Sequence, residues 1–267
     1  MPNEQRSRVI TASVDIPADY HADRLRWWTI NSQTWSKHID ADQGRFVLLQ
    51  NLAVKAIELA RTIECRTILD IGCGEGAFLR HLKLLDPDMT LHGIDFCDEM
   101  LAEAKRRSTG TGLRYSLSDL ETMDFQAPCN ANMVTSILAI DEMDQLEIVF
   151  RNIAKTLLLG GIAMLVVMDP LLELERNRAA LEGAFVSKGQ ADEAILLVKT
   201  FPQSGPEQTA PYCRIVRPIA AYNASAATAG LTPFPVNQLS HAVGIGLYAD
   251  SLLFDVLIFR KDRGART

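Results

Sequence analysis

Ile68-Leu69-Asp70-Ile71-Gly72-Cys73-Gly74-Glu75-Gly76-Ala77-Phe78-Leu79 is the stretch whose reading decides the fold. From Thr67 to Ile71 the chain is a short apolar run of the kind a buried parallel strand needs. It then passes three glycines spaced two apart and enters a helical pattern, with Phe78, Leu79 and Leu82 on one face. Strand, glycine turn and helix start together predict a nucleotide cradle at the carboxyl edge of an open sheet. Glycine turns the chain through backbone angles other residues avoid, and it removes the Cβ that would hold a ligand away. The helix behind presents free N–H groups and a partial positive charge to a polar group docked there.

The glycines alone leave the ligand open, because Gly72, Gly74 and Ala77 also satisfy the dinucleotide pattern G-x-G-x-x-G/A. Asp70, two residues before the first glycine, separates the readings. A carboxylate at the lip of the cradle repels a pyrophosphate and suits an ammonium or sulfonium group. A second acid, Asp95, ends the run Thr90-Leu91-His92-Gly93-Ile94-Asp95 and stands 23 residues beyond Gly72. An acidic side chain about 20 residues past the glycines is placed to accept both ribose hydroxyls.

With D-x-G-x-G-x-G at 70–76, then Asp95, Asp119 and Gly160-Gly161 in order, the chain resembles the class I S-adenosylmethionine-dependent methyltransferases from Thr67 to Arg260. The resemblance implies S-adenosyl-L-methionine as methyl donor and S-adenosyl-L-homocysteine as product. It places Asp119, after the third strand of the sheet, on the adenine amino group. It also implies cofactor contacts from Asp70, Gly72, Cys73, Gly74, Gly76, Asp95, Phe96, Met100, Ser118, Leu120 and Ile137. Two positions depart from the family's pattern. Asn132 stands where an aspartate is common, and Leu159 replaces the proline of an L-x-P-G-G turn.

The 267 residues are enough for one large α/β domain with an added cap. A hydrophobic fraction of 48% with 22% charged residues is globular, and a net charge of −6 argues against a surface that tracks nucleic acid. Five cysteines (65, 73, 97, 129, 213) are odd in number and lack C-x-x-C spacing, so reduced thiols in a cytoplasm are expected, with no zinc site. Without H-E-x-x-H spacing or an acid cluster, no metal is expected. The N-terminus shows no apolar core of a signal peptide, and the run from Ile162 to Met168 is too short to span a bilayer.

In chain order, residues 1 to 16 read as polar and loose. Ala18 to His38 reads as a helix whose Trp28 and Trp35, two turns apart, share a face. That face either caps the core or closes as a lid over the cofactor, where Tyr20 and Trp28 would meet the sulfonium by cation–π attraction. Gly44 to Thr62 reads as a second helix with Phe46, Leu49, Ala53, Ala56, Ile57 and Ala60 inward. Strands are expected at 67–71, 90–95, 113–117, 132–138 and 162–168, alternating with helices at 77–85, 98–108 and 145–158. Leu171 to Ser187 reads as a helix, and Ala194 to Phe201 with Tyr212 to Val216 as a hairpin. A helix from 217 to 229 and strands at Val236 to Ala242 and Ser251 to Arg260 complete the chain. The expected architecture is a doubly wound α/β fold: a seven-stranded sheet with an antiparallel last strand, an N-terminal helical lid at 1–62, the cofactor domain at 63–169 and 217–267, and a substrate cap inserted after the fifth strand at 170–216.

In-line displacement on a carbon attached to positive sulfur leaves the protein mainly to align reactants, which can contribute about 7–11 kcal/mol. A hydroxyl acceptor gains a further factor of about 10²–10⁴ from a nearby base. The candidates are Asp141, His241 and Tyr212, with Glu142, Asp169 and His38 also near the expected catalytic edge. The acceptor expected is a small, partly apolar molecule of secondary metabolism, methylated on oxygen or nitrogen by a monomer or homodimer. RNA or protein methylation, an NAD-dependent oxidoreductase and a cofactor-binding protein without turnover are the other readings.

Overall fold

The computed structural model describes residues 8–13, 18–168, 195–200, 212–235 and 254–262. After strand β1 (Arg8–Ser13) come two long helices, α1 (Tyr20–Ala41) and α2 (Gln43–Thr62). An alternating series follows: β2 (Thr67–Ile71), α3 (Ala77–Leu85), β3 (Thr90–Asp95), α4 (Asp98–Arg107), β4 (Arg114–Leu117), β5 (Ala131–Ile137), α5 (Leu146–Thr156) and β6 (Leu157–Met168). Then come β7 (Ile195–Thr200), β8 (Tyr212–Val216), α6 (Ile219–Thr228), β9 (Leu231–Pro233) and β10 (Phe254–Lys261).

Seven strands form the main sheet in the order β4-β3-β2-β5-β6-β10-β9. The first five are parallel, and β10 runs antiparallel between β6 and β9. This is the expected α/β sheet, and its central strands β2, β5 and β6 are buried on both faces because helices cover both. Ile68, Met133 and Ile162 point to one side, into a core shared with α2 and α3. Their neighbours Leu69, Val134 and Ala163 point to the other, into a core shared with α5 and α6. Phe150 of α5 meets Phe259 of β10 edge to face at 5.6 Å in that second core.

Several local expectations are corrected. Residues 8–13 are not loose: β1 pairs antiparallel with β7, which pairs with β8, so the first segment and the insertion share a three-stranded sheet. Phe46 is 54% exposed, because Leu48, Leu49 and Leu52 take the inward face of α2. The helix expected to reach 158 stops at Thr156. From Leu157 the chain is already strand, turning at Gly160 with φ +83°. The edge strand beside β10 is Leu231–Pro233, where a proline without an N–H is tolerated. The strand expected at 236–242 and the helix expected at 171–187 lie outside the described residues. Among the described residues no helix is long and apolar enough to cross a membrane.

Asn132 has a structural task. Its Oδ1 accepts the amides of both Arg66 and Thr67 at 3.1 Å, fastening the start of β2 to β5. Asn132→Ala is expected to cost about 0.5–1.5 kcal/mol, because water can partly replace the lost acceptor at these donors. Asn132→Asp keeps the acceptor and should unfold near the parent's midpoint in urea; equal losses in both variants would show that the bonds do not matter.

Candidate functional site

The carboxyl ends of β2, β3, β4 and β5 open into a cavity of about 370 Å³, roofed by α1 and the start of α2. The glycine turn forms its floor. Gly72, Gly74 and Gly76 all have positive φ, at +64°, +53° and +80°, which other residues rarely adopt. At two of them space is short as well. A Cβ on Gly72 would lie 2.4 Å from the Cβ of Ala139, and one on Gly76 would lie 2.4 Å from the Tyr115 hydroxyl. Gly76 is the N-cap of α3 and does not line the cavity, so its need is internal packing.

Three acids follow one another along this edge. Asp70, on β2, is 2% exposed and accepts a 2.6 Å bond from Thr135 Oγ1. Burial pushes its carboxyl up; Thr135 pulls back and the Asp95 charge adds to the rise, to about 7. The lip carboxylate expected from the sequence is thus a buried group on the cavity wall. Asp95, ending β3, accepts the amides of Gly74 at 2.9 Å and Cys97 at 3.0 Å. Burial raises its pKa against those two bonds. Each of its oxygens keeps a second lone pair. Burial also pushes Asp119 up, but the bonds from His21 and from the Glu121 amide outweigh it and leave the carboxyl below its ordinary range. Cys73 also lines the cavity, and burial raises its thiol well above the usual value, so it stays protonated.

Helix α1 is fastened across two loops of this edge. Arg24, 7% exposed, is ion-paired with Glu121 and donates to the Glu142 carbonyl at 2.5 Å. Its guanidinium lies 4.7 Å from the Phe96 ring centroid. Glu121 holds Arg24 charged against its burial, while burial pushes Glu121 up and Arg24 pulls it down. Tyr20 donates to the same Glu142 carbonyl at 2.7 Å, and Trp28 Nε1 to the Glu142 carboxylate at 2.9 Å. His21 Nε2 lies 2.7 Å from Asp119 Oδ2. Trp28 and Trp35 meet edge to face at 5.2 Å, on the shared face their spacing predicts.

Of the residues expected at the cofactor, Asp70, Gly72, Cys73, Gly74, Asp95, Phe96, Met100, Ser118, Asp119, Leu120, Ile137 and Trp28 line the one cavity. Tyr20, 2% exposed, does not; its hydroxyl is turned to the Glu142 carbonyl. Asp141 does not either, since its Oδ2 accepts the Met168 amide at 3.3 Å, bracing a 3-10 turn (Ile140–Glu142) against the end of β6. Glu142 is the acid of that turn on the cavity wall. His241, Asp169 and the side chains of Tyr212 and His38 lie outside the described residues. Sequence reading passed over His21, Arg24 and Glu121. Positions 21, 24, 28 and 35 recur at helical spacing, a signal visible when polar residues are counted along with the tryptophans.

Residues 68–161 match the family described as "Methyltransferase domain". A curated relative, the malonyl-[acyl-carrier protein] O-methyltransferase of Legionella pneumophila, is 27% identical over 143 residues, 52% of this chain and 50% of the relative. The chain thus spans about half the length of that relative. A solved S-adenosylmethionine-dependent methyltransferase from Clostridium acetobutylicum has the same fold, with TM-score 0.59 and 14% identity over 88% of this chain and 99% of that one. The sugar N-methyltransferase KedS8 of a Streptoalloteichus species is similar in fold, with TM-score 0.55 and 16% identity over 86% and 92%.

Because Asp70 binds its proton more tightly folded than unfolded, folding without a ligand loses stability as pH rises from about 4 to about 7. The loss reaches on the order of 4 kcal/mol before relaxation is counted. Asp70→Asn keeps the Thr135 bond and removes the charge. Its unfolding free energy relative to the parent should therefore grow more favourable between pH 5 and pH 8 in denaturant titrations. A constant difference would mean Asp70 carries no such burden.

Proposed function

We propose, from the premise that residues 68–161 are a methyltransferase domain within the class I S-adenosylmethionine-dependent sheet, that this chain transfers a methyl group from S-adenosylmethionine to a small acceptor. The observation that carries the reading is the row of acids: Asp70 on β2, Asp95 on β3 and Asp119 beyond β4, all on one cavity wall. Among the described residues lining the cavity the cations are Arg24 and Arg45; Arg24 is paired with Glu121 and Arg45 lies over the Trp35 ring. Such a wall suits a cationic ligand and counts against the pyrophosphate of a nicotinamide dinucleotide.

The residues present fit an adenosyl sulfonium. Asp95 would accept the ribose hydroxyls and Asp119 the adenine amino group, and a cation bound beside the glycine turn would draw the buried Asp70 into its charged form. When bound, S-adenosylmethionine supplies a methyl carbon already activated by positive sulfur. The cavity is also lined by the apolar side chains of Trp28, Trp35, Ile39, Leu48, Leu49 and Phe254, which would hold the acceptor and exclude water. Oxygen is favoured as the acceptor atom by the Legionella relative's name. A carboxylate acceptor in particular brings its own nucleophilic oxygen, so no side-chain base has to be found for it. A small secondary metabolite fits the size and polarity of the wall.

Calorimetry should show that the protein binds S-adenosylmethionine and not NADH, and preference for NADH would overturn the reading. Asp95→Asn keeps part of the amide bonding while losing charge, and should weaken donor binding at least about tenfold, or 1.4 kcal/mol. The thermal midpoint should stay within a few degrees. Parental affinity would remove Asp95 from the ribose site. A labelled methyl-transfer screen across carboxylates, phenols and amines then identifies the acceptor class.

A further inference from the structure

We propose that His21 is a positioning residue of the donor site: from helix α1 it fixes the Asp119 carboxylate at the purine end and links purine binding to the imidazole's protonation. The inference rests on the reading of Asp119 given above. The geometry is specific. Asp119 sits on the loop after β4 with its Oδ1 accepting the Glu121 amide at 2.9 Å, so the backbone holds one oxygen. The other, Oδ2, lies 2.7 Å from His21 Nε2, a length typical of a charge-assisted bond. The imidazole also packs against the Phe96 ring in an edge-to-face arrangement, centroids 5.8 Å apart. One turn further along α1, the buried Arg24–Glu121 pair pins the same helix to the same loop.

The charged groups facing His21 are Asp119 and Glu121 from that loop and Arg24 from its own helix. The Asp119 bond raises the His21 pKa, burial and Arg24 oppose it, and the two acids prevail. His21 therefore gains stabilisation on protonation in the fastened state. That contribution is complete below about 6.5 and is lost as pH rises through the raised value. Above it, a neutral imidazole can still donate one bond, but without charge. Asp119 is then less firmly fixed, and a purine must order it on binding.

The purine end is best isolated with methylthioadenosine, which carries neither sulfonium nor amino acid and so is insensitive to the charge on Asp70. Calorimetry from pH 6 to 9 should show its dissociation constant in the parent weakening about 3–10-fold as His21 loses its proton. His21→Gln, a neutral donor, should bind at an intermediate, pH-independent level, and His21→Ala more weakly and equally flat. NMR titration of the ligand-free parent should place His21 above the ordinary histidine range, and Asp119→Asn should bring it down. Variants that keep the parent's affinity and profile, or a His21 that titrates normally, would overturn the assignment. A parent that binds neither methylthioadenosine nor S-adenosylmethionine would instead overturn the donor reading beneath it, and the two failures are distinguishable because the NMR titration needs no ligand.

Discussion

One buried guanidinium makes the acidic edge of this sheet compatible with a roof. Asp70, Asp95, Asp119, Glu121 and Glu142 all face one cavity, and covering so many carboxylates with a helix costs desolvation that water would otherwise spare. Arg24 offsets that cost at the centre. It pairs with Glu121, bonds the carbonyl at Glu142 and lies over Phe96, so one side chain joins the loop after β4, the end of β3 and the loop after β5. A pair of this kind contributes little net stability when intact, yet losing one partner typically costs about 3–5 kcal/mol because the other is left buried and charged. The placement of α1 follows from that asymmetry.

The glycines of the cradle answer to the protein as much as to any ligand. Gly72 yields to Ala139 and Gly76 to Tyr115, so the turn is shaped from outside by the loop after β5 and by a strand two positions along the sheet. Gly74 is the member whose added Cβ would meet only the flexible end of Met100, at 3.1 Å, on the cavity side. The spacing of the motif therefore records two demands: close packing at its ends and an open face in its middle.

What could be read from the sequence was whatever local pattern determines. The strand, turn and helix at 67–85 are set by residues next to one another, and so are the acids at the strand ends. The partners of those acids were not legible. Thr135 is 65 positions from Asp70, and His21 is 98 from Asp119, so only the folded sheet shows that each carboxylate has a donor. The same distance hid β1, whose partner β7 lies far along the chain. Asp141 and Glu142 show the limit most plainly. Adjacent in a 3-10 turn, they look equivalent in sequence, but the turn sends one to the Met168 amide and the other to the cavity.

The two walls of the cavity come from different parts of the chain, and this divides what relatives can tell about it. All three acids of the row lie within 68–161, the stretch that matches the family described as "Methyltransferase domain". Most of the apolar lining, Trp28, Trp35, Ile39, Leu48, Leu49 and Phe254, comes from α1, α2 and β10, outside that stretch. On the reading proposed above, the acids that would meet the donor therefore belong to the matched stretch. The apolar lining that would meet an acceptor comes largely from elements outside the matched stretch, and α1 is fixed to the loops of the acidic edge through Arg24, Trp28 and His21. If that reading holds, a substitution in the roof would change which acceptor fits without touching the acids, provided the side chains that fasten the roof to the acidic edge are kept.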